Sequence, residues 1–101
     1  MLKEMLAGRQ LKNYNGYPQD EMEPLTVTCK DGFRFQIHAG RHSMSTPAGY
    51  QKEGNYRTVE IYIEPKDEAL LWPFAKHNTG RYGFVRVEVA EEIIRKHGGV
   101  L

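Results

Sequence analysis

The 101-residue sequence has one cysteine, one tryptophan and no excess of charge of either sign. The single thiol, Cys29, excludes an internal disulfide and any cysteine-rich zinc site, and in an alternating stretch it reads as a small core side chain rather than a nucleophile. Lys and Arg total 14 against 13 Asp and Glu, a formal net charge of +1. That balance gives no strong nucleic-acid signal and no global pull toward an anionic membrane, so any anion site must be local. No stretch approaches the ~20 apolar residues of a membrane helix, and the start of the chain lacks the apolar run of a signal peptide; the expectation is a soluble, cytoplasmic protein with no membrane partner. Gly40, Gly49 and Gly54 are too scattered for a phosphate loop, and no Gly-x-Ser-x-Gly elbow is present. Internal repeats and low-complexity segments are also missing.

What is present suffices for one domain over residues 1–101, with 40% hydrophobic residues and a single modest core. Leu2, Met5 and Leu6 fall at helical spacing before Gly8, which predicts a short N-terminal helix. Residues 12–24 are polar, with Asn13, Asn15, Gly16 and Pro18 as turn formers and Asp20, Glu21 and Glu23 as an acidic patch; they read as a connector. The compact core then spans 25–101. Residues 25–29 alternate apolar with polar, Asp31-Gly32 suits a type I′ turn, and Phe33, Phe35, Ile37 and Ala39 share one face of a second strand. A third strand, ended by Pro65, points Val59, Ile61 and Ile63 at the core. Leu70, Leu71, Trp72 and Phe74 cluster around Pro73 as an apolar lid over a turn of helix. Residues 77–80 are turn chemistry. A fourth strand, 81–87, carries Tyr82 and Phe84 on one face. The chain closes on a helix from about Glu88 to His97, whose stripe of Val89, Ala90, Ile93 and Ile94 faces inward before Gly98 stops it. The expected fold is α+β: a small antiparallel sheet of about four strands, hairpin first, with the C-terminal helix packed on one face.

The long polar stretch between the second and third strands is the place to look for function, since compact domains usually join elements with about 4–6 residues. It holds an inventory for a small anion or nucleotide. Arg41, Lys52 and Arg57 supply cations, Ser43, Ser45 and Thr46 supply hydroxyls, and His42, Tyr50 and Tyr56 supply planar surfaces on which a base could stack, with His38 at the start of the stretch counted among the ligand groups. Catalysis from Ser43 or Ser45 with His38 or His42 as base lacks a carboxylate partner in the loop, so no catalytic residue is assigned. A metal would need three or four convergent ligands, and only His38 and His42 lie near each other in sequence; neither metal nor cofactor is expected. A second surface is the lid itself: Leu70, Leu71, Trp72 and Phe74 fit an oligomer or partner interface, or a plug over the open end of the sheet.

Asp31-Gly32-Phe33, Ile37-His38-Ala39, Ser45-Thr46-Pro47, Val59-Glu60-Ile61, Tyr82-Gly83-Phe84-Val85, Val87-Glu88-Val89 and Lys96-His97-Gly98-Gly99 occur in that order. Together they resemble a family of small tailed-bacteriophage and prophage proteins, departing from it at Ala48, where arginine often follows, and at Arg86, where proline is common. The resemblance implies a phage accessory protein in the host bacterial cytoplasm, countering defence by gripping a host defence protein or by sequestering a nucleotide-derived immune signal. The combined expectation is a non-enzymatic, oligomeric binding protein, with a protein inhibitor acting through Trp72 as the alternative and a nucleotide hydrolase as the third.

Overall fold

The computed structural model describes residues 1–64, 67–76 and 80–101. Pro65, expected to end the third strand, and the expected turn at 77–79 lie outside the described residues. In chain order the elements are α1 (Leu2–Leu6), β1 (Leu11–Tyr14), β2 (Tyr17–Met22), β3 (Leu25–Thr28), β4 (Arg34–His38), β5 (Thr58–Tyr62), a 3-10 helix (Ala69–Phe74), β6 (Ala75–Lys76), β7 (Arg81–Arg86) and α2 (Val87–Lys96). The main sheet has five antiparallel strands in the order β3-β4-β5-β7-β6, and β1 pairs with β2 in a separate hairpin. The α+β class and the C-terminal helix stand; the strand number is corrected from about four to five plus the hairpin.

The expected connector at 12–24 is where the extra hairpin lies. Asn15 and Gly16 both take positive φ, +50° and +85°, the turn conformation whose twist suits two-residue hairpins. Asn13 Oδ1 accepts the Gly16 N–H at 2.8 Å and fixes it. Every β1 side chain is exposed, so no apolar alternation could announce the strand. Only the root of the hairpin, Glu21 and Met22, is buried.

In the main sheet Val27, Phe35, Ile37, Val59, Ile61 and Val85 face the core, and Leu71 of the 3-10 helix and Ala90, Ile93 and Ile94 of α2 close it. Burial of each large aliphatic side chain contributes roughly 1.5–3 kcal/mol, so α2 is a principal source of stability. The β3–β4 connection is a three-residue loop, with Cys29 N–H donating to Phe33 O and only Gly32 at positive φ. Asp31 instead accepts the Phe33 N–H on its carboxylate.

Tyr82 and Phe84, expected on one face of the strand, are split. Val59 pairs with Val85 and Ile61 with Tyr82, so β7 carries one more residue than β5 between them. That is a β-bulge, and it turns the strand locally. Tyr82 stays buried; Phe84, at φ +52°, goes out to solvent.

Candidate functional site

The stretch after β4 is folded tightly back rather than free, and buried carboxylates hold it. Glu21, only 3% exposed, accepts the His42 N–H at 2.8 Å and the Ser43 hydroxyl. This brings the β2 backbone so close to Gly40 that a β-carbon there would lie 2.5 Å from the Glu21 Cα. Glu60 accepts the Met44 N–H at 3.0 Å and pairs with Arg81 at 3.0 Å. Asp20 accepts the Tyr50 N–H at 2.9 Å, the Tyr50 hydroxyl donates to Arg9 O, and Gln51 N–H donates to the Tyr56 hydroxyl. Around the cis Thr46–Pro47 peptide, Thr46 and Thr58 exchange backbone bonds of 3.1 and 3.3 Å. Of the expected acidic patch, Glu21 and Asp20 are therefore anchors of the loop, whereas Glu23 bonds through its backbone to Gln10 and Arg9. Buried groups so partnered are stabilising, whereas the same groups left unmade would be costly.

This stitching uses up several of the expected ligand groups. Ser43 is committed to Glu21, while Ser45, itself buried, accepts from Gly40 N–H at 2.9 Å and has the Pro47 carbonyl at 3.1 Å and the Gly40 carbonyl at 3.3 Å as acceptors for its one proton. Neither hydroxyl bonds to His38 or His42, which leaves the serine–histidine arrangement without its first contact. His38 sits opposite Glu60 in the ladder and bonds to Gln36 at 3.1 Å; burial holds its pKa below the ordinary histidine range. Arg41 lies against β2, with its N–H on Asp20 O, and Lys52 lies against α1, with its carbonyl accepting the Gly8 N–H. His42 is exposed and Tyr50 is turned toward Arg9. Tyr56, expected as a stacking surface, is buried with its hydroxyl on Gln51 N–H, and the candidate ligand groups do not converge on one site.

Two of them do meet. Thr46 and Arg57 line a groove of about 380 Å³ with Thr58, Arg86 and Glu88. Backbone pairing builds it: Thr58 is opposite Arg86 in the β5–β7 ladder, Arg57 N–H donates to Thr46 O at 2.7 Å, and Arg57 O accepts the Val87 N–H at 3.0 Å. The Thr46 and Thr58 hydroxyls are 2.9 Å apart; whichever donates, the other keeps an O–H proton that this bond does not use. Among the described residues neither Arg57 nor Arg86 has a carboxylate within ion-pair range, and the Arg86 guanidinium lies over the Phe74 ring at 5.8 Å. Among the described residues Glu88 is the one acid on the groove wall. Arg86 and Thr58 were missed from the sequence because their nearness to Arg57 depends on strand register, which no local pattern of residues reveals.

The chain matches no family model, no curated protein and no solved structure. The groove geometry therefore carries the functional reading by itself. Among the described residues no group of three or more His, Cys, Asp and Glu is placed to hold a metal, and no helix is long and apolar enough to cross a membrane.

The lid is also redistributed. Leu71, expected at an interface, is completely buried and belongs to the core; Leu70 and Phe74 are half-buried, and Trp72 is 66% exposed. A different polar cluster ties the lid to α2. Glu68, buried at the start of the 3-10 helix, accepts from Leu70 N–H, from Lys96 Nζ at 2.8 Å and from His97 Nε2 at 2.7 Å. The other nitrogen, His97 Nδ1, is 2.6 Å from Asp31, and the ring stacks on Phe33 at 4.0 Å. A carboxylate at each ring nitrogen requires both to donate, so the imidazole is charged. Burial opposes that charge, yet the bonds from Glu68 and Asp31 outweigh it and raise the His97 pKa. Burial likewise acts to raise Glu68, and Lys96 and His97 overcome it, leaving the carboxyl below its usual range.

Proposed function

We propose that the chain is a non-enzymatic binding protein for a phosphate-bearing small molecule held in the Arg57–Arg86 groove. The observation that carries this reading is the convergence of two exposed guanidiniums, Arg57 and Arg86, on one groove with the hydrogen-bonded hydroxyls of Thr46 and Thr58. Guanidinium forks match phosphate oxygens bidentately, and a hydroxyl donor adds orientation. Glu88 on the wall disfavours ligands whose charge spreads toward it, which supports a compact anion at the arginines over a polyanion such as duplex DNA. With the phage resemblance, the ligand is a nucleotide-derived immune signal, sequestered intact in the host cytoplasm by an oligomeric accessory protein.

Calorimetry against cyclic dinucleotides, ADP-ribose derivatives and pyrophosphate tests this. The expected result is binding in the micromolar range that is lost in an Arg57→Ala/Arg86→Ala variant of unchanged fold. No heat for any of these ligands at high micromolar concentration overturns it. Recovery of the ligand unaltered after denaturation separates sequestration from hydrolysis.

One observation favours a second reading, a protein contact through Trp72: the side chain stays two-thirds exposed although Leu71 beside it is buried. Large exposed aromatics are over-represented at binding hot spots. A host protein retained by the wild type and lost by Trp72→Ala, with arginine variants unaffected, would move the function to that surface.

A further inference from the structure

Phe84 occupies a backbone conformation that bulky residues avoid, and much of its surface is left in solvent. Its φ of +52° lies in the left-handed region, where a side chain meets the backbone carbonyl and where glycine is the ordinary solution at a bulge. Held strain of this kind persists when something repays it. The backbone does not need phenylalanine, because the bond that fixes the bulge, Phe84 N–H to Met44 O at 3.0 Å, can be made by any residue but proline. Burial accounts for the ring only in part, since 48% of the residue stays exposed. The neighbouring glycine is explained separately: a β-carbon on Gly83 would stand 2.6 Å from the Met44 sulfur. What remains is the surface the ring presents. Buried Val85 separates two exposed residues, Phe84 and Arg86, so both side chains leave β7 away from the core, and Arg86 is on the wall of the groove.

We infer that Phe84 is the stacking wall beside the Arg57–Arg86 groove, and that it selects a phosphate-bearing ligand with a planar aromatic base over a bare phosphate or a sugar phosphate. This rests on the reading of the groove as an anion site. Aromatic side chains stack on nucleobases whatever the base, because every base has a π face, and the arginines supply the phosphate end. The strained backbone is then the cost of keeping a ring on the solvent side of a strand whose alternation would otherwise turn it inward.

ADP and pyrophosphate form the test pair, since they share a diphosphate and differ by the nucleoside. Calorimetry of the full chain should show ADP binding about tenfold or more tightly than pyrophosphate, the scale of one stacked base. Phe84→Gly should erase that gap and leave pyrophosphate affinity unchanged, with the far-UV circular dichroism of the wild type retained. Phe84→Trp should keep the preference. Equal binding of ADP and pyrophosphate by the wild type, or an ADP affinity untouched by Phe84→Gly, overturns the role of Phe84 while the anion site stands. Failure of both ligands to bind the wild type removes the groove reading itself, and this inference with it.

Discussion

The two ends of α2 are both rich in charge, and they treat it in opposite ways. At the C-terminal end Lys96, His97, Glu68 and Asp31 form a closed set in which every charge meets an opposite one within 2.6–2.8 Å. At the N-terminal end Arg86, Arg57 and Glu88 share a groove without any ion pair among them. Both ends lie on the same rigid helix. Paired charges around a buried carboxylate serve cohesion, because leaving one of them alone is expensive. Cations left to water cost the fold little and remain available, and that contrast separates the structural end of the helix from the end offered to a ligand.

Breaking the closed set should have the largest effect. Glu68→Ala removes the partner of Lys96, one partner of His97 and the cap of the 3-10 helix together. Breaking a buried charge pair costs roughly 3–5 kcal/mol. Urea unfolding should show that loss as a lower midpoint with an unchanged m-value; a change under about 1 kcal/mol would mean the cluster is not cohesive. His97→Gln comes next. The glutamine can make one of the two bonds but carries no charge, and about 1.5–3 kcal/mol is the scale for hydrogen bonds to charged groups.

The same cluster fixes a pH window. His97 has a raised folded pKa, so its contribution is complete below the unfolded value near 6.5 and fades as pH climbs through the folded one. Glu68 and Asp31 have lowered folded pKa values, Asp31 first through the Phe33 N–H and then through His97. Their contribution is present above the unfolded values near 4 and fades as pH drops through the folded ones. Thermal stability followed by circular dichroism should therefore peak between these limits, and His97→Gln should flatten the alkaline arm while sparing most of the acid arm. An alkaline arm of identical slope in the variant would show that another group titrates there.

How much of this could be read in the chain follows from where the information lies. The β3–β4 hairpin, the inward set Phe35, Ile37, Val59 and Ile61, and the α2 stripe are local patterns of period two or 3.6, and the structure has them where the residues put them. The β1–β2 hairpin escaped because its outer strand buries nothing, although Asn15-Gly16 was a usable turn signal. Phe84 escaped because one extra residue in β7 reverses alternation, and nothing in Tyr82-Gly83-Phe84 says which residue will be extra. The site was half legible. Thr46 and Arg57 could be named from the loop's composition, but Glu21 as its anchor and Arg86 as its second cation are pairings between distant segments, 21 to 42–43 and 57–58 to 86–87, that only register supplies.

The smallest expected effect sharpens the contrast most. Arg86→Ala removes an exposed side chain with no ion pair and one contact of its guanidinium with the Phe74 ring at 5.8 Å. Exposed cation–π contacts contribute about 0.5–1 kcal/mol, and ordinary surface substitutions stay within about 0.5 kcal/mol. Unfolding of Arg86→Ala should thus nearly superimpose on the wild type, and Arg57→Ala should do the same. If either instead cost as much as His97→Gln, the guanidinium would be holding elements together as the Glu68 cluster does. The N-terminal end of α2 would then be a second clasp, and its arginines would not be free to grip a phosphate.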